Sequence, residues 1–477
     1  MSRRVAVVGA GIGGLAVAFE LLQRAEQLPG GLELICLDAS DRAGGHLRSS
    51  RERGFLYEWA ATGFLDNAPA SLDLVQRLGL GDRMIQARDA AARRYIYVRG
   101  KLREIPLKPA AFLTSGVLTP PGVMRLLYEP FVPGRPSGKG EETVHDFATR
   151  RIGRQAASVL IDAMTTGIFA GDYRRLSLEA TYPKMREMEN EYGSLFKAML
   201  AKAKLKKKQN VGGGPAGPGG RLSSFRDGMQ TITDVLAEKL GTRLQLKQTV
   251  TGLSHLGHRG YRLIMKDGPP VEVDGLVLAC PSHVTAGIVA GLDAELATAM
   301  NSIQAAPVVV VHLGYRRDAL PARPDGFGFL IPRSQRLRSL GTLWPSDIFH
   351  GRAPEGSQLL STMIGGAHDP EAIELDDRSL LQIAKRDLET TMQVRIEPYF
   401  SAVIRNPSGI PQYEMGHLER VAGIEARLAR IPGLSIAGNS LHGVSVNLCI
   451  ENAVGTAERM LEFLAKRTKS TAAEKVQ

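Results

Sequence analysis

The chain begins with a glycine-rich turn between a short β-branched run, residues 5–8, and a helical segment, residues 15–24. The turn fits the pattern G-x-G-x-x-G. In that pattern the first glycine makes the tight turn, the second admits a pyrophosphate and the third lets the helix pack on the strand. A strand, a glycine turn and a helix in this order predict a dinucleotide-binding unit. The predicted contacts in this turn are Gly9, Gly11, Ile12, Gly13 and Gly14.

A second apolar run, residues 32–37, ends at Asp38 and completes a strand-helix-strand unit. An acidic residue at this distance from the glycine turn is expected to accept hydrogen bonds from an adenosine ribose. These residues predict an α/β, Rossmann-like domain. Since NAD and FAD are both bound by this fold, the first unit leaves the cofactor open, and a glycine-rich turn without a ligand is the simpler alternative.

Length and composition limit the remaining choices. A chain of 477 residues exceeds what one hydrophobic core holds, so several domains are expected. The three cysteines, Cys36, Cys280 and Cys449, lack metal-ligand spacing and predict neither a disulfide framework nor a metal site. No run of about 20 apolar residues predicts a membrane span. The basic start resembles a signal peptide, but a dinucleotide-binding turn explains its glycines better.

The segment Asp38-Ala39-Ser40-Asp41-Arg42-Ala43-Gly44-Gly45 resembles the acidic-x-x-x-Arg-x-Gly-Gly segment of flavin amine oxidases. The resemblance implies non-covalent FAD, with Arg42, Gly44 and Gly45 along its pyrophosphate. A late segment, Ala437-Gly438-Asn439 and then Gly443-Val444-Ser445-Val446, resembles the second flavin-binding turn of that superfamily; one more strand-turn-helix unit is the alternative. The further cofactor contacts that the resemblance implies are Trp59, Ala60, Ala61, Thr62, Val250, Asn439, Val444, Ser445 and Val446.

Several other motifs resemble the protoporphyrinogen oxidase family, in the order in which that family has them. They are Thr166-Gly167-Ile168-Phe169-Ala170-Gly171-Asp172, Gly326-Phe327-Gly328-Phe329-Leu330-Ile331-Pro332, Met363-Ile364-Gly365-Gly366, Ile410-Pro411-Gln412-Tyr413 and Gly416-His417. The chain departs from the family after Glu58, where Trp59-Ala60-Ala61-Thr62 replaces a glycine-containing segment. Together these motifs cover nearly the whole chain.

The resemblance implies an oxidase that converts protoporphyrinogen IX to protoporphyrin IX for haem synthesis, using FAD and oxygen and forming hydrogen peroxide. Hydride would pass from meso carbons to flavin N5, and removing six electrons takes three two-electron cycles. A pyrrole-activated C–H is a good hydride donor, so no catalytic protein base is predicted. Coproporphyrinogen oxidation, another flavin amine oxidase or desaturase, and a non-catalytic flavin-binding membrane scaffold are the alternatives.

Five residues are candidate substrate contacts by resemblance. Arg94 would hold a propionate through a bidentate pair, with a surface arginine on a strand as the alternative. Gly167 would turn its carbonyl toward the pyrrole N–H groups. Phe327, Leu330 and Met363 would form apolar pocket walls, with ordinary core packing as the alternative. His312 and His417 are interpreted as structural, because a lone histidine in such a setting usually is.

The expected architecture combines the Rossmann-like FAD-binding domain with a mixed α+β substrate domain and a helical membrane-binding domain. The predicted bounds are 1–88, 212–295 and 426–477 for the FAD-binding domain, 89–211 for the helical domain and 296–425 for the substrate domain. The loop at 212–220 reads GGGPAGPGG and is expected to be a flexible boundary.

The net charge of +11 and the lysine-rich segment 197–208 suggest an anionic partner. A solvated helix end and contact with an anionic membrane surface are both open for that segment. Nucleic acid is not predicted, because no recognised module accompanies the charge. The expected location is the cytoplasm, peripherally on the inner face of the cell membrane. Other candidate partners are the porphyrinogen, molecular oxygen, the next enzyme of haem synthesis and a second copy of the chain.

Overall fold

The structure, a computed structural model, describes residues 2–28, 30–106, 108–135, 138, 140–209, 220–321 and 325–474. Its strands are β1 (Arg3–Val8), β2 (Leu32–Leu37), β3 (Ser49–Glu52), β4 (Phe55–Glu58), β5 (Phe64–Leu65), β6 (Met84–Gln86), β7 (Tyr95–Val98), β8 (Lys101–Glu104), β9 (Leu222–Phe225), β10 (Leu244–Gln245), β11 (Val250–His255), β12 (Tyr261–Met265), β13 (Val271–Val273), β14 (Gly275–Leu278), β15 (Ala305–Arg316), β16 (Gly328–Leu330), β17 (Ser339–Leu343), β18 (Ser357–Gly365), β19 (Phe400–Pro411) and β20 (Leu434–Ile436).

The helices are α1 (Ile12–Gln23), α2 (Pro69–Arg77), α3 (Pro109–Thr114), α4 (Pro120–Leu127), α5 (Val144–Ile152), α6 (Arg154–Ala156), α7 (Asp162–Phe169), α8 (Leu178–Thr181), α9 (Pro183–Tyr192), α10 (Leu195–Gln209), α11 (Gln230–Leu240), α12 (Ser282–Val289), α13 (Ala294–Asn301), α14 (Pro345–Ile348), α15 (Asp377–Met392), α16 (His417–Leu428) and α17 (Val446–Glu474). A π-helical turn, Ala157–Ile161, joins α6 to α7.

A five-stranded parallel sheet, in the order β10-β2-β1-β14-β20, forms the Rossmann-like unit. Val5 and Val7 of β1 belong to one buried cluster, while Ala6 and Val8 belong to another. A run that is apolar at every position, such as residues 5–8 of β1, is typical of a parallel sheet covered on both faces. Helices α1, α11 and α17 cover one face, and the small sheet β11-β12-β13 with α12 and α13 covers the other. The predicted α/β unit is confirmed.

A mixed sheet of seven strands, in the order β19-β15-β18-β17-β16-β7-β8, forms the second layer. Val309 and Val311 of β15 pack under α15. Val308 and Val310 point to the opposite face, where Phe55 of β4 joins them. Because β4 leads directly into the predicted flavin-edge segment at 59–62, this face of the sheet lies beside the candidate site.

Helices α4 to α10 pack around a third group of buried side chains. Below them Arg151 and Glu129 are fully buried and ion-paired, and Glu129 also accepts hydrogen bonds from Ser194 Oγ at 2.5 Å and the Leu195 amide at 2.9 Å. Burial alone would raise the pKa of Glu129, but these hydrogen bonds outweigh it and hold the pKa below its usual value. The start of α10 is therefore fixed to the turn Glu129–Phe131.

Gly153, whose φ is +87°, ends α5 before α6 begins. The last helix, α17, extends to Glu474. One expectation about the domain bounds needs correction. Residues 95–104, placed by the predicted bounds in the helical domain, form β7 and β8 of the seven-stranded sheet, because β7 pairs in parallel with β16. The loop expected at 212–220 lies outside the described residues except for Gly220.

Candidate cofactor and substrate site

The glycine turn after β1 leads into the N-terminus of α1, and glycine occupies its positions for different reasons. Gly9 has a φ of +106°, and a Cβ there would lie 2.7 Å from the Ala279 carbonyl oxygen. A Cβ on Gly14 would overlap the carbonyl oxygen of Gly9. A Cβ on Gly11 would meet nothing within 4 Å. The fold therefore requires Gly9 and Gly14, whereas the open space at Gly11 suits a ligand at the helix N-terminus.

Two remote segments converge on this turn. The Gly44 amide donates to the Ala10 carbonyl at 2.7 Å, and Gly44 forms an isolated bridge with Gly11. From the far end of the chain, the Cα of Gly438 would lie 3.1 Å from a Cβ on Gly13. A similar close approach of 3.1 Å separates Gly11 from a Cβ on Gly45. Three glycine-containing segments thus share one wall of the site, as the resemblance implied for the cofactor.

Asp38 lies at the end of β2 beside the same turn. Its carboxylate accepts hydrogen bonds from the Ala10 amide at 2.5 Å and from the Ser40 amide at 2.8 Å. A carboxylate offers about four lone-pair directions, so acceptor capacity remains for a ribose. The Gln248 amide donates to the Asp38 carbonyl at 2.8 Å and brings Val250, at the start of β11, to the same region.

Arg42 provides a test of whether these residues fit an anionic cofactor. Its Nη2 atom is buried and has no hydrogen-bond partner among the described residues. Burial lowers the pKa of Arg42, and the nearby Arg48 lowers it further. A pyrophosphate would supply hydrogen-bond acceptors for Arg42 Nη2 and negative charge to balance the two arginines. The glycine wall, the helix N-terminus and Arg42 together fit FAD.

The segment 59–62 is fixed at its first residue. The Arg48 guanidinium carbon lies 3.8 Å from the centroid of the Trp59 ring, the Trp59 indole donates to Ser50 Oγ at 2.9 Å, and Asn406 Nδ2 donates to the Trp59 carbonyl at 3.0 Å. Next to it Glu58 is buried. The Glu58 pKa is raised by burial, against the opposing effects of Arg352 and of a hydrogen bond from Ser49. Ala60, Ala61 and Thr62 follow, Ala60 being exposed.

The second cofactor turn leads into α17. Ser445 precedes the helix and its Oγ accepts a hydrogen bond from the Leu448 amide at 3.2 Å, which is an N-cap interaction. Val446 packs into the core of the Rossmann-like unit, and Val444 packs against the helical cluster. The Asn439 carbonyl accepts a hydrogen bond from the hydroxyl of Tyr413 at 2.5 Å. This turn therefore joins the Rossmann-like unit to the rest of the protein.

Arg94 and Phe327 lie together at one end of the candidate substrate site. The Arg94 guanidinium carbon is 5.1 Å from the centroid of the Phe327 ring, a cation–π arrangement. Arg94 is partly buried, and its Nε has no hydrogen-bond partner among the residues described. Burial lowers its pKa. The neighbouring Arg93 is exposed and pairs with Asp325 at 2.9 Å, so the two adjacent arginines have different partners.

Leu330, Met363 and Gly167 lie further along the same face of the sheet. Paired positions run across the strands from Val310 through Met363 and Gly341 to Leu330 and Ile96. A Cβ on Gly167 would lie 2.7 Å from Leu330 Cδ2, so α7 packs directly on this row. The structure thus has two neighbouring pairs, Arg94 with Phe327 and Gly167 with Leu330. Met363 lies two strands away from Leu330.

The residues 410–413 and 416–417 were predicted only as family motifs, with His417 interpreted as structural. In the structure Tyr413 and His417 stack, with ring centroids 4.1 Å apart, and both contact the turn before α17. The buried ion pair of Glu58 with Arg352, at 3.5 Å, was also missed. The signal for the first was the family motif itself; nothing in the sequence pairs Glu58 with a residue so far along the chain.

Comparison with known proteins places the chain in a class. Residues 12–461 match the family described as flavin containing amine oxidoreductase, and the chain belongs to that family. It is therefore a flavoenzyme, and the predicted FAD cofactor is confirmed.

The individual proteins that the chain is similar to are porphyrinogen oxidases. The chain is 30% identical to the chloroplastic protoporphyrinogen oxidase of Nicotiana tabacum, over 96% of this chain and 86% of the relative. It is 28% identical to the coproporphyrinogen III oxidase of Bacillus subtilis, over 97% and 98%. A solved structure from Exiguobacterium, provisionally named a protoporphyrinogen oxidase, has a TM-score of 0.83 at 24% identity, covering 97% of this chain and 99% of its own. At that identity the structure supports the fold alone.

Replacing Gly11 with alanine separates the two reasons for glycine in the turn. The added methyl meets no protein atom within 4 Å, so the melting temperature of the apoprotein should stay within about 1 °C of wild type. In the FAD complex the methyl would meet the pyrophosphate, so the dissociation constant for FAD should rise at least about tenfold. Flavin fluorescence titration of the apoprotein measures this. Gly81→Ala, which also meets no neighbour, is the control; equal FAD affinity in both variants contradicts the placement.

Proposed function

We propose that this protein is an FAD- and oxygen-dependent oxidase that converts protoporphyrinogen IX to protoporphyrin IX in haem synthesis. The observation that carries the proposal is Arg94, a partly buried cation that lies against Phe327 and has no hydrogen-bonding partner for its Nε among the described residues. It lies two residues before Ile96, which pairs with Leu330. An apolar ring with carboxylates on one side is the complementary ligand. The protoporphyrinogen oxidases among the relatives, at about 30% identity over most of the chain, support the same activity.

Each part of the pocket has a separate task in this proposal. Bound FAD supplies the two-electron acceptor. Arg94 binds a propionate and fixes the orientation of the ring, while Leu330, Phe327 and Met363 exclude water from the reacting carbon. Gly167 lets α7 approach Leu330 closely because it has no side chain, and its backbone carbonyl would face the pyrrole N–H groups. None of these steps needs a protein base.

Coproporphyrinogen III is the second candidate, because a coproporphyrinogen III oxidase is among the relatives. It differs by carrying propionates on all four pyrroles, where protoporphyrinogen has two propionates and two vinyls. The row Ile96, Leu330 and Met363 is apolar and suits vinyl groups better than carboxylates.

Porphyrin fluorescence measured with both porphyrinogens side by side tests the choice. We expect kcat/KM for protoporphyrinogen to exceed that for coproporphyrinogen by at least about tenfold, the effect of one poorly paired carboxylate. Anaerobic mixing should bleach the flavin absorbance with either productive substrate. A preference in the opposite direction establishes the second candidate, and absence of bleaching with both overturns the proposal.

Arg94→Ala tests the propionate contact. Losing a charge-assisted hydrogen bond in a partly dry site costs roughly 1.5–3 kcal/mol, so KM should rise about ten- to hundredfold. FAD content should not change, and Arg94→Lys should restore only part of the affinity, since lysine lacks the planar fork. Arg93→Ala is the matched control, because Arg93 is the adjacent arginine and is exposed and paired with Asp325. If both variants keep wild-type KM, another group holds the propionate.

We further propose that the protein binds peripherally to the inner face of the cell membrane through its helical unit. No helix within the described residues is long and apolar enough to cross a bilayer. Exposed apolar side chains cluster on α4, on the turn that follows it and on the first part of α10; they are Met124, Tyr128, Phe131, Met199 and Leu200. These five residues are the apolar patch.

The charge beside the apolar patch favours an anionic bilayer as its partner. Lys197, Lys202 and Lys204 are exposed on α10, next to Met199 and Leu200. Apolar side chains that enter the headgroup region and lysines that stay outside it are typical of interfacial binding. The buried pair of Arg151 and Glu129 fixes α10 to the turn that carries Phe131, so the patch has a defined shape.

The double variant Phe131→Ser, Met199→Ser should lower binding to vesicles containing phosphatidylserine about tenfold or more, because each side chain removes roughly 1–2 kcal/mol of apolar transfer energy. Co-sedimentation at low salt measures the bound fraction, and high salt should reduce it for wild type. Ile264→Ser, which removes an exposed apolar side chain from β12, is the control. Equal binding of both proteins contradicts the assignment of the patch.

A further inference from the structure

The segment 410–417 lies between the helix of the substrate site and the turn that precedes α17. On one side, Gln412 Nε2 donates to the Phe169 carbonyl at 2.8 Å, at the end of α7. The Ser177 amide donates to the Tyr413 carbonyl at 2.9 Å. On the other side, the Tyr413 hydroxyl donates to the Asn439 carbonyl at 2.5 Å. One short segment therefore contacts both α7 and the second cofactor turn.

His417 provides a second contact to the same turn. Its Nε2 lies 2.9 Å from the Leu441 carbonyl oxygen, and since a carbonyl only accepts, Nε2 carries the proton. Burial lowers the pKa of His417 to about 4, so the ring is neutral under ordinary conditions. The Tyr413 and His417 rings stack at 4.1 Å and 18°, which holds both donors in a fixed relation.

We infer that Tyr413 and His417 are positioning residues that hold the turn 439–445 in the conformation that binds the flavin. Two carbonyls of the turn, at Asn439 and Leu441, point toward this pair and are satisfied by it. The turn then delivers Val444, Ser445 and Val446 to the start of α17. Neither Tyr413 nor His417 needs to touch the flavin for this effect. The inference rests on the proposed cofactor contacts at 439–446.

The arrangement also ties flavin binding to the substrate site. Phe169, which ends α7, is contacted by Gln412 through its carbonyl, and its ring centroid lies 6.3 Å from that of Tyr413. Gly167 on the same helix packs on Leu330. A shift of the segment 410–417 would therefore displace the second cofactor turn and the wall of the substrate pocket together.

Tyr413→Phe tests the inference with a matched control. The variant keeps the ring and removes the hydroxyl, leaving the Asn439 carbonyl without its donor, so the dissociation constant for FAD should rise about tenfold. Tyr261→Phe removes a similar buried hydroxyl, which donates to the Pro432 carbonyl over a distance of 2.6 Å. This hydrogen bond lies outside the cofactor turn. Tyr261→Phe should lower the stability of the apoprotein about as much as Tyr413→Phe does, yet leave FAD affinity within about twofold of wild type.

Histidine variants supply the rescue experiment. His417→Leu should weaken FAD binding about tenfold, whereas His417→Gln, whose amide can donate to the Leu441 carbonyl, should recover most of it. Flavin fluorescence titration of each apoprotein and the FAD-induced shift in melting temperature are the readouts. A purely structural role would lower the melting temperature of apoprotein and holoprotein equally and leave that shift unchanged.

The outcomes separate the inference from the cofactor placement. If wild-type apoprotein takes up no FAD, the cofactor placement and the inference both fail. If wild type binds FAD but Tyr413→Phe binds it as tightly as Tyr261→Phe does, the inference alone is overturned. Loss of FAD affinity in Tyr413→Phe and His417→Leu, with recovery in His417→Gln, supports it.

Discussion

Backbone segments approach each other closely at the N-terminus of α1, and this contact holds the Rossmann-like unit together around the cofactor turn. Gly9 lies against the Ala279 carbonyl, Gly13 against Gly438, and Gly45 against Gly11. At these distances a Cβ would push the two segments of each pair apart, and in the first two pairs those segments are hundreds of residues distant in the chain. The parallel order of β2, β1, β14 and β20 brings their carboxyl ends to one edge, and glycine lets their loops meet there. The cofactor wall is a consequence of that packing.

The two arginines assigned to ligands share an electrostatic condition. Arg42 and Arg94 each have a buried nitrogen without a partner among the described residues, and burial lowers the pKa of both. Arg151, which is fully buried, is instead paired with the carboxylate of Glu129. A protein tolerates the cost of a partly desolvated, unpaired cation where a ligand anion offsets it. The contrast with Arg151 therefore favours a ligand role for Arg42 and Arg94.

The seven-stranded sheet and the helical unit act on the site from opposite sides. The sheet supplies a flat apolar face, because alternate residues of β15, β16 and β18 point the same way. The helical unit supplies α7, whose Gly167 approaches that face. Its outer surface carries the apolar patch, so the same unit that packs on this face also presents the proposed membrane contact.

Local features could be predicted from the sequence alone: they are the glycine turn and the first strands of the Rossmann-like unit. These depend on interactions within a few residues, such as the tight turn at Gly9 and the period of two in a strand. A family resemblance added the order of the motifs and the likeness of the segment 38–45 to a flavin site.

Contacts between residues that are far apart in the chain became visible only in the tertiary structure. Residues 95–104, expected in the helical domain, belong to the seven-stranded sheet because β7 pairs with β16. Tyr413 and His417 contact the turn before α17, which the sequence did not predict. Pairing between strands far apart in the chain depends on the packing of the whole sheet, and a buried hydroxyl finds its carbonyl only once the two units have docked. Such partners leave no periodic signal in the sequence.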